Sequence, residues 1–284
     1  MKTSAILLLS CPDRKGLVAT ISDFIYRHNG NILHADEHAD EESNLFLMRV
    51  EFDPSGFDID LADFTRHFAA IAEEFEMQWR LALSAYRPKM AILVSKYDHC
   101  LVDLLYRHKS GELACEIPVI ISNHPDNQPI ADFYRVPYYT VPVAKDSKRE
   151  AEQKILALLR QHAPDFIVLA RYMQILSPEF VAAYPHRIIN IHHSFLPAFV
   201  GARPYHQAFA RGVKLIGATS HYVTEVLDDG PIIEQDVVRI SHRDSLDDLL
   251  QKGRDLEKVV LSRGVRWHIE NRVLLYGNKT VVFD

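Results

Sequence analysis

The sequence predicts an α/β protein of two domains: a βαββαβ unit, then a mostly parallel sheet covered by helices on both faces. Three observations lead there. The chain has 284 residues, long for one ordinary domain. In residues 1–84, short apolar strands alternate with two amphipathic helices. From residue 90 onward, continuous apolar runs are separated by helical segments, the signature of strands buried on both faces.

Residues 5–10 form an apolar run that reads as the first strand. The run is too short for a signal-peptide core and has only Lys2 ahead of it. Leu17, Val18, Ile21, Phe24 and Ile25 recur at helical spacing, and Gly30-Asn31 stops that helix. Strands follow at 31–38 and 44–52, with the polar loop Asp40-Glu41-Glu42-Ser43 between them. In the second of these, Phe46, Met48, Val50 and Phe52 share one face. Leu61, Phe64, Phe68, Ile71 and Phe75 mark a second helix, and 77–84 is a closing strand with Trp79, Leu81 and Leu83 alternating. The order βαββαβ is ferredoxin-like. Residues 85–89, with Pro88 disfavouring helix before it, read as a linker. The second domain is expected over 90–284. Its predicted strands are 90–94, 117–122, 138–141, 166–170, 187–191, 218–223 and 232–238. Its predicted helices are 101–109, 147–162 and 245–261, and a short tail ends the chain.

Composition narrows the function. Hydrophobic residues at 48% suffice for a sizeable core. A net charge of −6 without any Lys/Arg run excludes a nucleic-acid surface. No run approaches the roughly 18 apolar residues of a membrane helix. Cys11, Cys100 and Cys115 are odd in number and form no CxxC pair, so neither a disulfide framework nor structural zinc is expected. A cytoplasmic setting fits.

The chemistry concentrates in Asn190-Ile191-His192-His193-Ser194-Phe195-Leu196-Pro197, at the carboxyl end of an apolar strand. Open α/β sheets place their ligands there. Asn190 and His192 are two apart and share a face if the chain is extended. An amide N–H and an imidazole can together polarise a carbonyl and move a proton. Asp228, in the turn Val226-Leu227-Asp228-Asp229-Gly230-Pro231, is the best third member. Each residue also has a plain reading: strand ends bonded to backbone, and a turn aspartate. Adjacent His192 and His193 would point to opposite faces of a strand, a poor start for a metal site, so no metal is expected.

Taken together, Asn190-Ile191-His192, Ser194-Phe195-Leu196-Pro197 and Leu227-Asp228-Asp229-Gly230-Pro231 resemble the formyltetrahydrofolate-dependent transferase and hydrolase family. The resemblance runs from about residue 90 to the end and implies a Rossmann-like formyltransferase domain. It implies Asn190, His192 and Asp228 as the catalytic set. Ala170-Arg171-Tyr172-Met173-Gln174-Ile175-Leu176-Ser177-Pro178 resembles that family's folate loop, which makes Tyr172, Met173, Gln174, Ile175 and Leu176 substrate-binding candidates. Read by themselves, Met173, Ile175 and Leu176 would pack a core. His221-Tyr222-Val223-Thr224-Glu225 resembles the second wall of the pterin pocket, adding His221, Tyr222 and Val223.

The transferases that act on phosphorylated acceptors carry a Gly-rich turn after the domain's first strand. Here Ser95-Lys96-Tyr97-Asp98-His99-Cys100 has no glycine, and Asp98 would repel phosphate. Water becomes the expected acceptor by elimination. Gln174 and the segment Val200-Gly201-Ala202-Arg203-Pro204-Tyr205-His206-Gln207-Ala208 resemble the deformylase branch. The front unit resembles an ACT domain, with Asp13 and Gly16 in its first loop as regulatory candidates. Both also suit a helix start, as an N-cap and a close-packed glycine. The resemblance implies hydrolysis of 10-formyltetrahydrofolate to formate and tetrahydrofolate, the folate being substrate and no cofactor being needed. It further implies formate supply for purine synthesis, an amino-acid effector, and a homodimer or homotetramer. Formyl transfer to an amine, or an inactive folate or amino-acid sensor, are the alternatives.

Overall fold

The computed structural model describes residues 3–198 and 204–283. It divides into two compact units, Met1–Tyr86 with Glu270–Asp284, and Arg87–Ile269.

The first unit holds β1 (Ala5–Pro12), α1 (Leu17–Arg27), β2 (Asn31–Asp40), β3 (Leu45–Asp53), α2 (Phe64–Glu74) and β4 (Gln78–Leu83). The strands form an antiparallel sheet in the order β2-β3-β1-β4. Leu7 and Leu9 of β1 and Met48, Val50 and Phe52 of β3 pack with Ile21 and Ile25 of α1 and Phe64 and Phe68 of α2. The predicted βαββαβ order is the observed one. Gly16, not Asp13, occupies the N-cap position of α1. Its φ is +95°, and nothing lies within 4 Å of where a Cβ would stand. Backbone hand, not close packing, therefore calls for glycine there.

The other face of this sheet corrects the sequence reading of the tail. Ile6, Leu8 and Leu47 point away from the helices and would be bare in a unit ending at residue 84. The chain end covers them. Its two strands, the last of thirteen among the described residues, are β12 (Val273–Tyr276) and β13 (Lys279–Val282), and they form a hairpin. Phe283, Leu274, Tyr276 and Val281 pack on Ile6, Leu8 and Leu47. Buried Arg49 ties the tail down by donating from Nε to the Asn271 carbonyl at 3.0 Å and pairing with Glu51 at 2.8 Å.

The second unit begins with β5 (Lys89–Val94), so Lys89 belongs to a strand rather than to the linker. α3 (His99–Ser110), β6 (Glu116–Ser122), α4 (Gln128–Tyr134), β7 (Tyr138–Thr140), α5 (Lys148–His162) and β8 (Phe166–Ala170) follow. Then come α6 (Pro178–Ala183), β9 (Ile188–His192), α7 (Pro204–Arg211), β10 (Leu215–Tyr222), β11 (Ile232–Arg239) and α8 (Leu246–Ile269). The sheet order is β11-β10-β9-β8-β5-β6-β7. From β9 to β7 the strands are parallel, and β10 and β11 add on antiparallel. The chain steps from β5 outward to β6 and β7, then returns to β8 on the other side. That reversal opens a crevice at the carboxyl ends of β5 and β8, beside β9. Ile167, Leu169, Ala91 and Leu93 pack against Ile155 and Leu159 of α5, so these strands are apolar without interruption.

Candidate active site

Asn190 and His192 lie two apart on β9 and project into one cleft of about 290 Å³. The cleft has two walls. Residues 172–176, after β8, form one, and residues 223–228, after β10, form the other. Met173 and Ile175 are 49% and 58% exposed, and Val226 and Leu227 are 61% and 50% exposed. Side chains that open to solvent are not packing a core. Two facing apolar lips suit a flat heteroaromatic ligand.

The turn after β10 carries Asp228 to His192. Gly230 makes this approach possible: a Cβ there would stand 1.7 Å from the Tyr222 carbonyl oxygen. The Tyr222 N–H donates to the Pro231 carbonyl at 2.9 Å, which closes the loop. Asp228 itself has φ +57°, a left-handed conformation that aspartate tolerates better than most residues. Its Oδ1 lies 3.2 Å from His192 Nδ1. A carboxylate accepts only, so Nδ1 carries the proton and Nε2 is the ring's open position. His192 Nε2 is buried and has no protein partner. Burial pushes the Asp228 carboxyl up most strongly, but the bond from His192 and the fields of His192, His221 and His193 together outweigh it, and the group titrates below its ordinary range.

Asn190 is oriented from the neighbouring strand. Its Cα partner in the β9–β10 register is His221. His221 Nδ1 donates to the Tyr222 carbonyl at 3.0 Å, so Nε2 accepts from Asn190 Nδ2 at 3.1 Å. Burial drives the His221 pKa down, and the ring stays neutral and able to accept. The β10–β11 register shifts between Ser220 and His221, the kind of irregularity that re-aims a side chain beside a site. One Asn190 amide hydrogen is thus committed to His221, and the second is left for a ligand.

Profiles of two families match the chain: the formyl transferase family over residues 88–265 and the ACT domain over residues 5–73. A formyltetrahydrofolate deformylase of Synechocystis sp. is 55% identical over 280 residues, 99% of this chain and 98% of that protein. One of Bacillus subtilis is 49% identical, over 98% of this chain and 93% of that protein. The crystal structure of a formyltetrahydrofolate deformylase from Pseudomonas syringae pv. tomato superposes with a TM-score of 0.97 at 52% identity, covering 100% of this chain and 95% of that one. The chain belongs to the formyltetrahydrofolate deformylase family.

A glycinamide ribonucleotide transformylase from Symbiobacterium toebii is a more distant member of the same fold. It is 28% identical with a TM-score of 0.67, and covers 70% of this chain and 95% of its own. The formyl transferase profile begins at residue 88, so the front unit lies outside that match.

Of the residues singled out in the sequence, Asn190, His192, Asp228, Tyr172, Met173, Gln174, Ile175, Leu176, His221 and Val223 all line the cleft. Tyr172 does so while packing in the core at 6% exposure. Tyr222 is a correction. It neighbours His221 on β10, and alternation turns its side chain away from the cleft, where its hydroxyl meets His268 Nδ1 at 2.8 Å. His193 is a second correction. β9 ends at His192, so the opposite-face rule no longer binds His193, and it lines the same cleft. The two rings lie 5.3 Å apart. Burial, helped by the Arg171 charge, pushes the His193 pKa down to about 3, so it is neutral near pH 7. Residues 200–203 of the Val200–Ala208 motif lie outside the described residues, and Pro204-Tyr205-His206-Gln207-Ala208 opens α7. Sequence reasoning missed Arg171 and the pairing of His221 with Asn190.

Proposed function

We propose that this chain hydrolyses 10-formyltetrahydrofolate to formate and tetrahydrofolate, with Asn190, His192 and Asp228 as the catalytic groups. The observation that carries the reading is the 3.2 Å pairing of Asp228 with His192, set beside an Asn190 whose amide is oriented by His221. The pterin lies between Met173 and Ile175 on one side and Val226 and Leu227 on the other. Water attacks the formyl carbon. A C–O bond forms, and the carbonyl electron pair moves onto oxygen. The free Asn190 amide hydrogen receives that oxyanion, an interaction typically worth about 3 kcal/mol in the transition state. His192 takes the water's proton at Nε2 and delivers it to N10 as the C–N bond breaks. Asp228, whose depressed pKa makes it a weak base, stays ionised and stabilises the charged ring. The intermediate collapses to the N10 amine and formic acid, which gives its proton to solvent and leaves as formate, and no cofactor enters the balance.

Family membership supports the wider role: the formate feeds purine synthesis and the reaction adjusts one-carbon folates. The ACT unit would take an amino-acid effector near Asp13 and Gly16, and the chain would work as a homodimer or homotetramer in the cytoplasm. No helix among the described residues is long and apolar enough to cross a membrane. Asp228→Asn should lower kcat for formate release about 10²–10⁴-fold. Unchanged turnover would remove Asp228 from the mechanism.

A further inference from the structure

The wall of the cleft formed by residues 172–176 has no regular structure of its own. It belongs to no helix or strand, and among the described residues none of its positions makes a backbone–backbone hydrogen bond. Yet it holds a defined shape, with Met173 and Ile175 standing out to solvent as an apolar lip. Apolar side chains on an unrestrained loop would turn inward, away from water.

Two buried side chains outside the cleft restrain it. The first is Ser95, which directly follows β5. Its Oγ accepts from the Met173 N–H at 3.0 Å and donates to Asn123 Oδ1 at 2.6 Å. Asn127 Nδ2 donates to the Ser95 carbonyl at 2.7 Å, which fixes the backbone that carries the hydroxyl. Ser95, Asn123 and Asn127 are all buried. The second is Glu152 of α5, also buried. Its Oε1 accepts from the Ser177 N–H at 3.0 Å, where the wall ends and α6 begins. None of these four side chains lines the cleft.

Packing does not call for polar groups at either place. Glu152 shares the buried stripe of α5 with Ala151, Ile155 and Leu159, and Ser95 continues the apolar strand β5. A buried hydroxyl or carboxylate carries a desolvation cost that only hydrogen bonds offset. Each of these two obtains an amide of the same loop, one at its start and one at its end. In a low-dielectric interior such bonds are strong and directional.

We propose that Ser95 and Glu152 are positioning residues for the folate: they clamp the 173–177 wall at both ends, so that the pterin meets a lip already formed. That the ligand is a folate rests on the hydrolytic reading, whereas the clamp rests on the two hydrogen bonds. Preorganisation of this kind acts mainly on binding, because the loop is ordered before the ligand arrives.

The test uses the full-length protein with tetrahydrofolate as the probe. Its Kd is read by titration calorimetry, and kcat and KM for 10-formyltetrahydrofolate are measured beside it. Ser95→Ala and Glu152→Leu should each raise the tetrahydrofolate Kd at least tenfold, with KM rising alongside and kcat falling by a smaller factor. Glu152→Gln keeps an oxygen acceptor and should stay within threefold of wild type. A residue needed only for stability would lower Tm and leave the Kd of the folded protein unchanged. A wild-type Kd in folded Ser95→Ala or Glu152→Leu protein therefore overturns the clamp, as does a Glu152→Gln protein as impaired as Glu152→Leu. Circular dichroism establishes which variants are folded. Amide hydrogen exchange in the wild type tests the clamp even where neither variant folds: Met173 and Ser177 should exchange more slowly than Gln174 and Ile175, and equal rates overturn it. Tetrahydrofolate binding that weakens as expected, in a protein that releases no formate, would keep the clamp and overturn the hydrolytic reading instead.

Discussion

Asp228 shows how one residue's surroundings set its task. Burial alone would raise its pKa, and the bond from His192 together with the surrounding histidines reverses the sign. A depressed carboxyl stabilises the fold above its unfolded pKa, near 4, and loses that contribution as pH falls through the folded value. The stability advantage of wild type over Asp228→Asn should therefore be full at about pH 7 and shrink towards about pH 3, read from urea unfolding. A gap that widens with acid would contradict the pairing. Asn190→Ala should reduce kcat about 10²–10³-fold with a smaller change in KM, as expected for a donor aimed at a developing oxyanion. Equal loss in KM would make it a ground-state contact. Asn190, His192 and Asp228 were legible because spacing on a strand and a Gly-Pro turn leave marks in sequence. Arg171 left none, since neither its positive φ nor its ion pair with Glu257 is written in residue order. The His221–Asn190 bond needed the register of two strands 31 positions apart.

At the scale of elements, the site is the meeting of β9, β10 and the turn that follows. The turn is as important as the strands. Gly230→Ala would drive a Cβ into the Tyr222 carbonyl, and the loop must move to admit it. The expected cost is about 1–3 kcal/mol in stability, with kcat falling at least tenfold as Asp228 leaves His192. A Gly230→Ala protein with wild-type Tm and kcat would show that the turn does not position Asp228. Most strands were visible from apolar runs, and α5 and α8 from their periodicity. α4 and α6 were not, because both are short and open with Pro129 and Pro178 in their first turn. Proline reads as a breaker, yet at a helix start it replaces an N–H that would have no partner. α8 outran its expected end at residue 261 and continues to Ile269, its buried Val265 extending the apolar face.

For the whole molecule, both fold types were legible, while the fate of the tail was not. The clue was present in β1, whose run Ala5-Ile6-Leu7-Leu8-Leu9 does not alternate and so needs cover on both faces. Helices supply one cover and the C-terminal hairpin the other. Nothing in the hairpin's own residues names the sheet it will meet, since that pairing joins opposite ends of the chain. The central claim is that water is the formyl acceptor. Purified protein should be incubated with 10-formyltetrahydrofolate and no amine, with formate and tetrahydrofolate measured together. Release of the two in equal amounts is the expected result. No release until an amine acceptor is added would contradict the account and make the chain a transferase.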